Sequence, residues 1–113
     1  MTNHPRPDVV IAGVDGRPLA GADIDVVDPS VARASLYVEA GHLPPGTRTR
    51  LVDAVFDSPQ IGTRQYLQVV LPLGDSEMLD RVRERCDAGE ARAAGSTCLF
   101  DAVLPTCPVR ERD

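Results

Sequence analysis

Lysine is missing altogether: every one of the twelve basic residues is an arginine. Without lysine there is no side chain for a Schiff base and no P-loop lysine, so Walker-type phosphoryl transfer is excluded. Tryptophan is absent too, and two Phe with two Tyr leave little to stack on bases or sugar rings. The three cysteines, Cys86, Cys98 and Cys107, are odd in number and lack CxxC spacing. That pattern argues against a disulfide framework or a zinc site and for reduced thiols. Long apolar runs are absent and mean hydropathy is −0.14, so no transmembrane helix is expected. Residues 1–7 contain no apolar segment flanked by basic residues, and a cytoplasmic location is the expectation.

What is present is the composition of an ordinary globular protein: 113 residues, 42% hydrophobic and 26% charged. That length suffices for one core without disulfide or metal staples. The net charge of −5 disfavours a general nucleic-acid binder, which needs a basic face. Neither nucleic acid nor membrane is an expected partner.

Residues 1–7, with two prolines, read as a disordered arm. Asp8 to Val14 is a short apolar run ending at Asp15-Gly16, a hairpin turn signal. Ala22 to Asp28 alternates, with Ile24 and Val26 on one side and Asp23, Asp25 and Val27 on the other. The pair reads as an edge hairpin with one wet face. Ala32 to Glu39 is the next strand, its Ala34, Leu36 and Val38 on one face. The Leu43-Pro44-Pro45-Gly46 turn delays the first helix to Gly46 or Thr47, from which Leu51, Val52, Val55 and Phe56 recur at helical spacing as far as Asp57. Arg64 to Pro72 is apolar on both faces through Tyr66–Leu71, the pattern of a central strand covered on both sides. Asp75 and Ser76 offer an N-cap and Glu77 suits the helix dipole. Met78, Leu79, Val82 and Cys86 form the stripe of a second helix that Gly89 would stop. Arg92 to Leu104 reads as one long strand kinked near Gly95, and residues 105–113 as a flexible tail. Residues 8–104 are thus expected to form a single small α/β (or α+β) domain. Its N-terminal β-hairpin is followed by β-α-β-α-β, with two helices on a mixed sheet. A ferredoxin-like fold is the alternative, although it needs one more strand between the helices.

Few residues offer chemistry. His42 follows the third strand without a second ligand or partner at suitable spacing. Cys98 lies in an apolar strand and Cys86 on a helix stripe, so both read as core residues, while Cys107 falls in the tail. Arg81, Arg83 and Arg85 do not make one patch, because residues two apart on a helix point about 200° apart. Arg81 and Arg85 do share a face and can pair with acidic neighbours. The start of the first helix is the best constellation. Its free amides can bind an anion, and Thr47, Arg48 and Thr49 add donors.

From Ala34 to Leu104 the order of elements resembles the C-terminal half of the GNAT acyltransferase superfamily. Leu36-Tyr37-Val38 would be the strand before that family's phosphate-cradling turn, and Arg50-Leu51-Val52-Asp53-Ala54-Val55 the helix behind it. The family's turn carries Arg or Gln, two residues, Gly, one residue, then Gly or Ala. Here Leu43 stands first, Gly46 matches the second position and Arg48 replaces the third. The resemblance implies acyl-CoA as ligand, with Gly46, Thr47 and Arg48 as its binding residues, in a degenerate cradle. It also implies an acceptor side built by an N-terminal strand and two helices, where this chain reads as a hairpin.

No acid, base and nucleophile converge in the sequence. The leading expectation is therefore a non-catalytic binding or self-association module with no cofactor, forming a homo-oligomer through a sheet edge or helix face or binding a protein partner. The alternative is an acyl-CoA-dependent N-acyltransferase-like protein, or a degenerate CoA or nucleotide binder.

Overall fold

The computed structural model describes residues 8–39, 43–62 and 64–105. The arm at 1–7, His42, Cys107 and the tail beyond residue 105 lie outside the described residues. Six strands and three helices follow one another as β1 (Val9–Ala12), β2 (Pro18–Asp28), β3 (Val31–Val38), α1 (Thr47–Phe56), α2 (Pro59–Gly62), β4 (Tyr66–Pro72), α3 (Ser76–Glu84), β5 (Ala88–Ala94) and β6 (Thr97–Val103). They form one mixed sheet in the order β1-β2-β3-β4-β6-β5. Only β3 and β4 are parallel neighbours, joined by α1 across the sheet.

The hairpin, both main helices and the mixed sheet are where the sequence pattern placed them. The ferredoxin-like alternative is not formed, because three antiparallel strands precede the first helix and no strand lies between α1 and β4. The extra strand is instead β5, in the segment expected to be helix stop and kinked strand. At Gly95, whose φ is +65°, the chain folds back in a two-residue turn and pairs Ala94 with Thr97. Ala88–Ala94 has no apolar alternation to betray it, since every one of its residues is exposed.

One face of the sheet carries the core. Ala22 and Ile24 of β2, Ala32, Ala34 and Leu36 of β3, Leu67, Val69 and Leu71 of β4, and Cys98, Phe100 and Ala102 of β6 are all buried. The strand registers put them on the same side. Leu51, Val52 and Val55 of α1 and Met78 and Val82 of α3 cover that side. Burying the dozen or so larger side chains, at about 1.5–3 kcal/mol each, is the main driving force of the fold.

The opposite face carries no helix among the described residues. The expectation that β4 is covered on both sides is therefore corrected. β4 is central in the sheet, but Tyr66 is exposed and Gln68 and Val70 are half-buried. Val26, expected beside Ile24, keeps that register opposite buried Ala32 but is exposed near the end of β2, just before its bulge. On this open face Arg33 Nε donates to Gln68 Oε1 (2.8 Å), Gln68 Nε2 donates to Asp101 Oδ1 (3.2 Å) and Arg92 Nη1 donates to Asp101 Oδ2 (2.7 Å). This row of polar groups crosses four strands and satisfies itself.

The two long helices are clamped through Asp53. Arg81 grips its carboxylate with Nε and Nη2 (2.9 and 3.0 Å), and Arg85 Nη1 adds a bond of 2.8 Å while its Nη2 reaches Asp57. The hydrogen bonds from Arg81 hold the Asp53 carboxyl below the usual carboxylate value of 3.8; partial desolvation opposes them and Arg85 reinforces them. A depressed carboxylate contributes stability above its unfolded pKa and loses it as pH falls through the folded one. The pair is a third exposed, so Asp53→Asn is expected to cost only about 1 kcal/mol at pH 7. The cost should shrink toward zero as pH drops below about 4. Urea unfolding of both proteins at neutral and acid pH measures it.

Candidate functional site

The parallel ladder between β3 and β4 stops short of both strand ends. It runs from Val31 opposite Tyr66 to Ser35 opposite Val70. β3 nevertheless continues beside β2 to Val38, and β4 continues beside β6 to Pro72. Leu36–Val38 and Leu71–Pro72 therefore belong to the sheet on their outer sides and diverge from each other.

The cause is visible in the backbone phase. Tyr66 N–H donates to the Ser30 carbonyl (3.0 Å) at the start of the ladder. In a parallel pair the donors recur at every second residue, so Gln68 and Val70 follow and residue 72 would be next. That residue is Pro72, which has no N–H. On the other side of β3, Glu39 N–H donates to the Leu19 carbonyl (2.8 Å). The odd residues of β3 thus face β2, and the even ones face β4. The carbonyl of Leu36 and the N–H and C=O of Val38 are left directed into the opening, with no partner among the described residues. Pro72→Ala supplies the missing donor and is expected to extend the ladder by one bond. Stability should change by less than about 1 kcal/mol, because the new bond offsets the loss of proline rigidity. Hydrogen exchange is the readout, with the new amide protected at least as well as that of Val70.

The wedge opens into a cleft of about 420 Å³ lined by Val38, Arg48, Pro72, Leu73, Gly74, Asp75, Ser76 and Glu77. The N-termini of α1 and α3 both border it. Gly46, the N-cap of α1, sits at φ 85° and ψ −5°, a left-handed conformation that glycine takes without strain, and having no side chain it makes no cap hydrogen bond. Thr47 is buried; its hydroxyl and N–H both donate to the Pro44 carbonyl (2.7 and 3.3 Å). Its hydroxyl proton therefore fixes the proline turn. The N–H groups of Arg48 and Thr49 have no acceptor among the described residues.

Arg48 leans across the mouth of the cleft. Its Nε donates to Asp75 Oδ2 (2.7 Å), while Asp75 Oδ1 caps α3 by accepting from Met78 N–H (3.1 Å). The Asp75 side chain is 8% exposed and that of Arg48 31%. One carboxylate thus ties the two helix starts together. The terminal nitrogens of Arg48 have no partner among the described residues.

Of the residues singled out in the sequence, Gly46, Thr47 and Arg48 are thus brought to one cleft edge, with Thr47 as scaffold. Cys98 is buried on β6 and Cys86 is half-buried just past α3. Burial, and after it the charge of Asp87, push the Cys86 thiol up, which opposes a nucleophilic role. The sequence reading missed Pro72, Asp75 as partner of Arg48, and the unpaired backbone of Leu36 and Val38. Only the proline could have been noticed: a proline closing an otherwise central strand marks the end of a ladder.

No protein-family model matches the chain, and no curated protein resembles its sequence. Solved structures do share its fold. A protein assigned as a phosphinothricin N-acetyltransferase superposes over 85% of this chain and 70% of its own, with a TM-score of 0.59 and 16% identity. An acetyltransferase of the GNAT family from Streptococcus pneumoniae superposes over 82% of this chain and 64% of its own, with a TM-score of 0.53 and 9% identity. The chain therefore has a GNAT-like fold, as the resemblance of residues 34–104 implied, and spans about two thirds of the length of these relatives. The expectation of a non-catalytic binding or self-association module is corrected by this likeness, which favours the acyltransferase-like alternative.

Proposed function

We propose that this chain is an acyl-CoA-dependent N-acyltransferase-like protein that takes its acyl-CoA in the cleft between β3 and β4. The observation that carries this reading is the splay of two parallel strands at Pro72. It presents unpaired backbone groups of Leu36 and Val38 beside the N-terminus of α1, in a fold shared with acetyltransferases. An extended chain of amides, such as the pantetheine arm, can pair with those groups as a short extra strand would. Val38 N–H can donate to a carbonyl oxygen and stabilise the charge that develops on it during amine attack. Bound acyl-CoA would supply the activated thioester; the chain's own residues hold it, orient it and polarise it.

The anionic end fits differently. The side chain of Arg48 stands where close approach to bare backbone would need glycine or alanine. Its own free guanidinium nitrogens, with the N–H groups of Arg48 and Thr49, offer charge-assisted bonds instead. Gly46, Thr47 and Arg48 are the proposed ligand-binding residues, Gly46 and Thr47 by shaping the turn and Arg48 by contact. This altered turn also favours the second reading, a CoA or nucleotide binder that has lost catalysis. Cys86 and Cys98, both free, suit a reducing compartment such as the cytoplasm, and no described helix is long and apolar enough to cross a membrane.

Calorimetric titration with acetyl-CoA, CoA and ATP tests the reading. Saturable binding of acetyl-CoA with a dissociation constant in the range of about 1 µM to 1 mM is expected. Acyl transfer to an amine panel then separates the enzyme from the degenerate binder. No heat with any of the three at millimolar concentration overturns both. Pro72→Ala, which narrows the wedge, should bind acetyl-CoA about tenfold more weakly.

A further inference from the structure

The two edges of the sheet are treated differently by the sequence. β1 is four residues long, and its pairing with β2 is interrupted by a register shift between Ile11 and Ala12. A short, irregular edge of that kind resists pairing. β5 has none of these protections. Its seven residues pair with β6 without a break, contain no proline, and are all exposed.

The backbone phase says which groups the β5 edge presents. Leu104 N–H donates to the Gln65 carbonyl (2.9 Å), on the β4 side of β6. Alternation along β6 then directs Ala102, Phe100 and Cys98 to β4, and Val103, Asp101, Leu99 and Thr97 to β5. Their partners Ala88, Glu90, Arg92 and Ala94 bond inward. Gly89, Ala91 and Ala93 are left with N–H and C=O pointing away from the sheet.

We infer that β5 is an interface with a second copy of this chain, pairing antiparallel about a two-fold axis at Ala91. In that register Ala91 faces Ala91 of the second copy and Gly89 faces Ala93, all outward-bonding positions. Glu90 then stands directly opposite Arg92 of the second copy, and Arg92 opposite its Glu90. Shifting the axis by one residue either way instead places Glu90 against Glu90 or Arg92 against Arg92. Opposite charges at facing positions stabilise a strand pair and like charges destabilise it, so the charges select the Ala91 register. Glu90 has no salt-bridge partner within the described residues, whereas Arg92 bonds Asp101 at 2.7 Å and can be shared. An isologous contact of this kind closes at two copies and leaves the blunted β1 edges outermost. The inference rests on the β5 edge alone and is independent of the acyl-CoA cleft.

Sedimentation velocity on the full chain tests it through charge exchange. The protein should form a dimer within the range up to about 100 µM. Glu90→Arg alone, or Arg92→Glu alone, sets like charges face to face twice, and each should weaken the dimer about tenfold or more. Mixing the two variants brings arginines opposite glutamates in both pairs and should restore a dimer, which also shows that both variants are folded. A chain that stays monomeric throughout overturns the inference. So do single variants that dimerise like the parent, or a mixture that fails to recover while circular dichroism shows both variants native.

Discussion

Arg48→Glu is expected to weaken acetyl-CoA binding by about thirtyfold or more, close to 2 kcal/mol, while leaving the fold intact. The replacement removes the one cation lining the cleft among the described residues and puts a carboxylate where a phosphate group would come. Two effects on stability oppose each other. The bond from Arg48 to Asp75 is lost and the two carboxylates repel, yet a glutamate in the first turn of α1 suits the helix dipole. A change in melting temperature of only a few degrees is expected for a chain of this size. Arg48→Ala should lose about tenfold in affinity, and isothermal titration of both variants reads the difference. If Arg48 only clasped Asp75, Asp75→Asn would cost as much affinity as Arg48→Glu. In the present account it frees Arg48 and costs less.

The largest effect on stability is expected at Phe100. Its side chain is 1% exposed, in the middle of β6. Gly89 on β5 leaves the room its ring needs: a Cβ there would stand 2.5 Å from two ring carbons. Arg83 from the end of α3 lies over the ring, 5.9 Å from its centre. Phe100→Ala should cost about 4 kcal/mol, much of the stability of a domain this small. Because β5 is held within the chain by its pairing with β6, its amides should lose exchange protection first. Chemical denaturation combined with hydrogen exchange measures both. A loss under about 1 kcal/mol would mean that β6 is not the inner strand described here.

The elements that could be read in the sequence are those whose burial imposes a period. Leu51, Val52, Val55 and Phe56 spell α1, and Asp75 announces the cap of α3 before Met78 and Val82 spell the helix. β5 could not be read in this way, because Ala88–Ala94 buries nothing and owes its place to pairing with β6. Tyr66–Leu71 misled for a related reason. Its second face sets Tyr66 and Val70 around Gln68 and carries no helix among the described residues, and an amino-acid pattern does not say whether another element arrives to cover it. The cleft was legible only at Gly46, Thr47 and Arg48. Its remaining parts are the absence of a bond at Pro72, unpaired backbone on Leu36 and Val38, and an ion pair between residues 48 and 75. Backbone phase and long-range pairing leave no local mark in a sequence.

The wedge between β3 and β4 as an acyl-CoA site is tested most directly by amide NMR shifts during acetyl-CoA titration. The shifts should concentrate at Leu36 and Val38, at Arg48 and Thr49, and along Leu73–Ser76, with β1 and the open-face residues Arg33, Gln68 and Asp101 unmoved. Shifts confined to the open face, or none at millimolar ligand, would contradict it.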